Sequence, residues 1–196
     1  TGTNACVAFI GSGLVVVDVS NPSSPSSSKS YGTVDSLHAV GASGNYAYIV
    51  DDGQFISVDI TQVSLSISGS CTLDVTVEDI TVSGNYAYVT GEGIHIIDVS
   101  DPTSPAIIGS QNTSGDSTGV DTDGTGEYAY VADGASGMKV FDLVKPDSPA
   151  LGTVAGTTNT AQDVKIYGNY AYAAVHGGGI QSFSISNLAS PTQKDI

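Results

Sequence analysis

Few residues of this 196-residue chain have types and spacings that could do chemistry. Gly115-Asp116-Ser117-Thr118-Gly119 has the G-x-S-x-G form that raises a nucleophilic serine on a strand-to-helix turn, and His176-Gly177-Gly178-Gly179 has the form of an oxyanion loop. That loop should precede the serine, and here it follows it. Neither segment adjoins a helical pattern, so both read as glycine-rich turns, and the chain reads as no enzyme. A second group, Asp121, Asp123 and Glu127, sets three carboxylates around the Gly124 turn. These are hard oxygen ligands of the kind Ca²⁺ takes. The spacing departs from an EF-hand loop, and Asp-Gly is a good turn by itself, so no cofactor is expected, with calcium as the one candidate. A third group is polar: His38, Glu78, Thr118 and Gln162 fall at one equivalent place, followed by Ala39, Asp79, Gly119 and Asp163 at the next. If those places open onto a channel, His38, Glu78, Asp79, Gln162 and Asp163 form a mouth of the sort that binds ligands. Asn112-Thr113-Ser114 is an N-glycosylation sequon. His95 lies alone in an apolar run and reads as packing.

The elements that must position these residues come from a repeat. Tyr46-Ala47-Tyr48, Tyr86-Ala87-Tyr88, Tyr128-Ala129-Tyr130 and Tyr170-Ala171-Tyr172 recur at intervals of 40, 42 and 42 residues, and Cys6-Val7-Ala8 holds the same place one period earlier. Such a period signals stacked supersecondary units. In the third copy, 79–82 alternates as a strand and Ser83-Gly84-Asn85 closes a tight turn. Tyr86 to Thr90 is a second strand rich in aromatic and β-branched residues, and Ile94 to Val99 a third. Asp101-Pro102-Thr103-Ser104-Pro105 breaks the chain before a fourth strand, 106–110. Alternate residues of a strand share a face, so both tyrosines of each pair should lie together in the packing between sheets.

Four short antiparallel strands per repeat, with no helical periodicity, describe an all-β chain. The expected fold is a β-propeller of about five four-stranded blades, with repeats near 1–36, 37–76, 77–117, 118–160 and 161–196. The chain resembles the LVIVD-repeat β-propellers in Leu14-Val15-Val16-Val17-Asp18-Val19-Ser20-Asn21-Pro22, in Ile94 to Pro102 and in Met138-Lys139-Val140-Phe141-Asp142-Leu143. The resemblance covers the whole length and implies a surface module without a particular reaction. Innermost strands fall near 37–42, 78–82, 118–122 and 162–167. The first copy enters directly at its second strand, 5–10, so its blade lacks an inner strand. Three readings compete: flanking sequence supplies that strand, the ring tolerates the gap, or another molecule contributes it by β-augmentation.

Composition bounds the partners. Formal net charge is −15, from 20 acids against five Lys. That disfavours nucleic acid, whose binding needs basic patches, and equally an anionic membrane surface. No stretch is long and apolar enough to insert in a membrane. The start at Thr1 without Met reads as processed or truncated. The Ser, Thr and Gly weighting suits an extracellular or cell-surface protein, with other copies of itself or surface proteins as partners. Cys6 and Cys71 occupy different repeat positions, leaving a disulfide and two buried thiols both open. The Ser-rich segment 22–28 reads as an exposed turn that could carry O-glycans.

Overall fold

Two-residue Gly-Asn turns set the rhythm of the fold. Gly44, Gly84 and Gly168 take φ of +56, +59 and +56°, while no asparagine of these turns has positive φ. A glycine with positive φ at the first central position is the type II′ pattern, which matches the twist of the strands it joins. Each turn leads into a Tyr-x-Tyr strand whose alternation gives one face to each tyrosine pair.

The computed structural model describes residues 3–9, 11–32 and 37–194 and holds five antiparallel sheets. The first has three strands, β1 (Asn4–Phe9), β2 (Gly13–Asp18) and β3 (Ser26–Tyr31). The second runs β4 (Val40–Ser43), β5 (Tyr46–Asp51), β6 (Gln54–Asp59) and β7 (Ile67–Thr72). The third comprises β8 (Asp79–Ser83), β9 (Tyr86–Thr90), β10 (Gly93–Asp98) and β11 (Ala106–Asn112). The fourth comprises β12 (Gly119–Thr122), β13 (Tyr128–Ala132), β14 (Met138–Asp142) and β15 (Ala150–Ala155). The last has β16 (Ala161–Tyr167), β17 (Tyr170–Val175), β18 (Gly179–Ser184) and β19 (Thr192–Lys194). Within every sheet the strands follow one another in sequence order. The first sheet therefore has one strand fewer than the others among the described residues, as its entry at a second strand implies. Ile10, expected to end that strand, lies outside the described residues.

The repeated aspartate that ends β2, β6, β10 and β14 has a local task. The Asp18 Oδ1 accepts from the Ser20 amide at 2.8 Å, Asp59 from Thr61 at 2.8 Å, Asp98 from Ser100 at 2.8 Å and Asp142 from Val144 at 2.9 Å. Each is an Asx turn, in which a short carboxylate substitutes for backbone and bends the chain out of the strand. The next amide then returns to the preceding hairpin: Ile60 to Asn45 O, Val99 to Asn85 O and Ile185 to Asn169 O, at 2.8 to 2.9 Å. In the fourth repeat, with its longer hairpin, Leu143 donates to Glu127 O at 2.8 Å instead.

By contact the chain forms two compact units, one of Thr1–Ala87 with Asp98–Ile107 and one of Tyr88–Ile97 with Ile108–Ile196. The first unit has a core in which Leu14, Val16, Ala47, Ile49, Ile56 and Val58 are buried, with Cys6 and Ala8 half-buried against them. In the second, Tyr130, Met138 and Val140 pack against Val164, Ala171, Ala173 and Phe183. The same joint appears in both: one sheet offers the face that bears the third residue of its Tyr-x-Tyr position, Ala8 in the first unit and Tyr130 in the second, here called leading. The next sheet covers it with its opposite face, which bears Ala47 or Ala171, here called trailing.

The Ser-rich segment differs from its expected form. Ser26, Ser27 and Ser28 belong to β3 rather than to a turn: Ser26 and Ser27 pair with Asp18 and Val17 of β2, and Ser28 sits in the bulge with its hydroxyl donating to the Val16 carbonyl. An outermost strand meets water on both faces, so it needs no apolar alternation, and that signal was missing from the sequence.

Candidate functional site

The serine of the G-x-S-x-G motif is fully buried in the connection from β11 to β12. Its Oγ donates to Asp133 Oδ1 at 2.9 Å, and Thr113 Oγ1 donates to the same oxygen at 2.5 Å. Asp133 follows β13, is completely buried, and has its Oδ2 at 3.8 Å from the ammonium of the nearly buried Lys139 on β14. A Cβ on Gly115 would stand 2.2 Å from the Asp133 carbonyl oxygen, so the connection passes this carboxylate only as glycine. Ser117, Thr113, Asp133 and Lys139 are thus a closed polar knot inside the second unit. Sequence reasoning missed it. The available signal was an inward-facing lysine in a Met-Lys-Val run beside a lone aspartate, since a buried cation requires a partner.

The calcium candidates are not brought together. The Asp121 Oδ2 accepts from the Ile166 amide at 2.9 Å and pairs with Lys165 Nζ at 3.9 Å, which directs it toward the last sheet. Asp123 accepts from the Thr125 amide at 3.2 Å and the Thr125 hydroxyl at 2.5 Å. Glu127 is exposed. Among the described residues no three His, Cys, Asp or Glu side chains gather to hold a metal ion.

The residues of the polar row lie at or just ahead of the starts of the inner strands. In the first unit His38 and Glu78 are exposed ahead of β4 and β8, and Asp79, first in β8, is half-buried and accepts from the Ile80 amide at 2.8 Å. In the second unit Gln162 and Asp163 are exposed on β16, Asp163 accepts from the Val164 amide at 2.7 Å, and Thr118 donates to the Gln162 carbonyl at 2.9 Å. Asn112 is exposed at the end of β11, but Thr113 of the sequon has its hydroxyl committed to Asp133. Cys6 and Cys71 are both half-buried free thiols, held above the usual thiol value chiefly by burial. His95 is half-buried on β10, and burial lowers its basicity against the opposing pull of Glu92.

One surface was not anticipated. Both tyrosines of each pair do share a face, with ring centroids 6.5 Å apart for Tyr46 and Tyr48 and 6.3 Å for Tyr170 and Tyr172. Tyr48, Tyr88 and Tyr130 are 3%, 0% and 0% exposed, whereas the equivalent Tyr172 is 37% exposed. On the same leading face of the last sheet, Tyr167, Tyr170 and Ile180 are also exposed. A pocket of about 170 Å³ opens there, lined by Asp163, Val164, Lys165, Tyr172, Ala174 and Ile180. Expecting every tyrosine pair to be packing thus fails for the last, whose Tyr170 and Tyr172 are both exposed. A contiguous apolar face of this kind marks an interaction surface.

The LVIVD repeat is matched five times, at residues 1–33, 38–72, 76–113, 119–155 and 159–196. The chain belongs to the LVIVD-repeat family. No curated protein matches its sequence. Among solved structures, a functionally unknown protein from Desulfotomaculum acetoxidans DSM 771 is similar at TM-score 0.82 and 13% identity, over 98% of this chain and 66% of that one. The β-propeller domain of Myceliophteria thermophila Cps50 (Swd1) is similar at TM-score 0.75 and 11% identity, over 99% and 68%. BamB from Moraxella catarrhalis is similar at TM-score 0.67 and 17% identity, over 95% and 59%. The LVIVD chain spans 59 to 68% of the length of these three structures. At these identities the likeness shows the fold alone: an all-β propeller of four-stranded antiparallel blades, the first with three strands among the described residues.

Proposed function

We propose that this LVIVD-repeat chain is a non-catalytic module with a structural or adhesive role outside the cell. It works through contacts made by its sheets, self-assembly among them. The observation that carries the reading is the leading face of the last sheet, where Tyr172 and Ile180 meet solvent at positions that other repeats bury, beside the exposed Tyr167 and Tyr170. The repeated residues are committed to Asx turns, hairpins and core, which leaves the non-repeated surface for partners. The chemistry that the motifs suggested is likewise taken up in folding: Ser117 is buried against Asp133, out of reach of a substrate. A net charge of −15 keeps such a module soluble and favours partners that are neutral or basic.

Antibody labelling of intact source cells tests the reading. Labelling equal to that of lysed cells is the expected result. Labelling that appears only after lysis would overturn the extracellular placement.

A further inference from the structure

Two lysines approach a carboxylate among the described residues, and the two pairs differ in kind. Lys165 is exposed beside Asp121, as a surface pair usually is. Lys139 and Asp133 are shut away from water, at 7% and 0% exposure. A buried ion pair offsets its lost hydration only with close geometry and further hydrogen bonds. This pair is poorly made by that standard. The Lys139 Nζ stands 3.8 Å from Asp133 Oδ2, beyond hydrogen-bond length, and Oδ2 is buried without a hydrogen-bond partner.

The other oxygen is held firmly. Ser117 and Thr113 both donate to Oδ1, at 2.9 and 2.5 Å. The carboxyl group is thus polarised, with two hydroxyls on one oxygen and an amine nearest the other. Gly115 closes over it, since a Cβ there would stand 2.8 Å from the Asp133 Cγ and 2.9 Å from Oδ2. One hairpin fixes acid and amine together. Val131 pairs with Lys139 and Ala132 with Met138, and the Asp133 amide donates to the Gly137 carbonyl at 2.8 Å. All of these residues belong to the second unit.

We propose that Lys139 and Asp133 condense spontaneously into an isopeptide bond, a covalent link across the β13–β14 hairpin. The Lys139 Nζ first passes a proton to Oδ2, which removes two charges from a water-free site. The neutral amine then attacks Cγ and forms the C–N bond. The carbonyl electron pair moves onto Oδ1, where the Ser117 and Thr113 hydroxyls already stand to stabilise the developing charge. A second proton passes from Nζ to Oδ2, the Cγ–Oδ2 bond breaks, and Oδ2 leaves as water while the Oδ1 carbonyl re-forms. Nothing is oxidised or reduced, and no co-reactant is needed. Bulk water opposes amide formation, but well-oriented partners in one molecule reach effective concentrations of about 10⁵–10⁸ M. The link also closes the loop 133–139 in the unfolded chain, as a disulfide would.

Intact-mass spectrometry of the purified full chain, denatured before measurement, tests the bond. The wild-type chain should be lighter than its sequence by one water. Trypsin should fail to cut after Lys139 in the denatured chain, because the amide removes the charge it requires. Lys139→Arg keeps a cation but cannot form this amide, and should show its full mass. A wild-type chain at full mass overturns the inference. So does a water loss that persists in Lys139→Arg, which would be a cyclic imide at an Asp-Gly step. A wild-type chain that is one water light yet cut normally after Lys139 overturns it equally, and that result needs no variant to fold.

Discussion

At the scale of residues, the acids that dominate the composition are largely turn formers. Hydrogen bonds from Ser20 hold Asp18 below the usual carboxylate value, those from Thr61 and Gln62 do the same for Asp59, and those from Thr103 for Asp101. A carboxylate lowered in the folded state means that the unfolded chain binds more protons in that interval, so stability rises with pH there. The contribution is present above the unfolded value of 3.8 and lost as pH falls through the lowered folded values. The urea midpoint should therefore drop on acidification to about pH 3, and Asp59→Asn, which keeps the acceptor but cannot titrate, should flatten the drop. The buried knot behaves differently. Asp133→Ala strands the Lys139 ammonium and should cost about 3–5 kcal/mol in urea unfolding. Adding Lys139→Met to it should recover part of that loss, a coupling that a double-mutant cycle reads directly. The Asx aspartates were legible as an Asp that recurs after an apolar strand, at 18, 59, 98 and 142. Asp133 was not, because a single aspartate after a strand looks like any turn residue until its partners 16 and 20 residues back are in place.

At the scale of elements, the four-strand repeat was legible almost to the residue. Expected strands at 79–82 and 86–90 are observed as Asp79–Ser83 and Tyr86–Thr90. Turn glycines, β-branched runs and prolines all marked the same boundaries, and agreement among independent local signals specifies structure reliably. What escaped was the outermost strand of the first repeat, whose serines carry no alternation, and the way one repeat seats on the next. Fourth-strand glycines make that seat. A Cβ on Gly109 would lie 2.3 Å from the Pro146 carbonyl oxygen, and one on Gly69 would lie 2.5 Å from the Thr103 backbone. Gly109→Ala should accordingly cost about 3 kcal/mol by forcing the Lys145-Pro146-Asp147 turn away. Gly32→Ala meets nothing within 4 Å and should stay within about 0.5 kcal/mol of wild type. Thermal unfolding of the two variants side by side checks both.

At the scale of the molecule, one residue pattern has two fates: Tyr48, Tyr88 and Tyr130 are buried, whereas the equivalent Tyr172 is 37% exposed. The sequence announced the missing strand of the first repeat. It could not show the opposite consequence, that the last tyrosine pair would lie open, because Tyr170-Ala171-Tyr172 is letter for letter the packing motif of the others. Exposure there depends on the neighbour and not on the residues. Charge acts against association between copies that each carry −15, so added salt should strengthen assembly by screening, the reverse of a contact held by ion pairs. Sedimentation at low and high ionic strength reads the sign.

Hydroxyl-radical footprinting of the chain in dilute and concentrated solution tests the central claim most directly. Tyr172 and Ile180 should be modified when dilute and protected when concentrated, with Tyr48, Tyr88 and Tyr130 protected throughout. Equal modification of Tyr172 at both concentrations, or protection matching Tyr130 in the dilute chain, would contradict an open docking face.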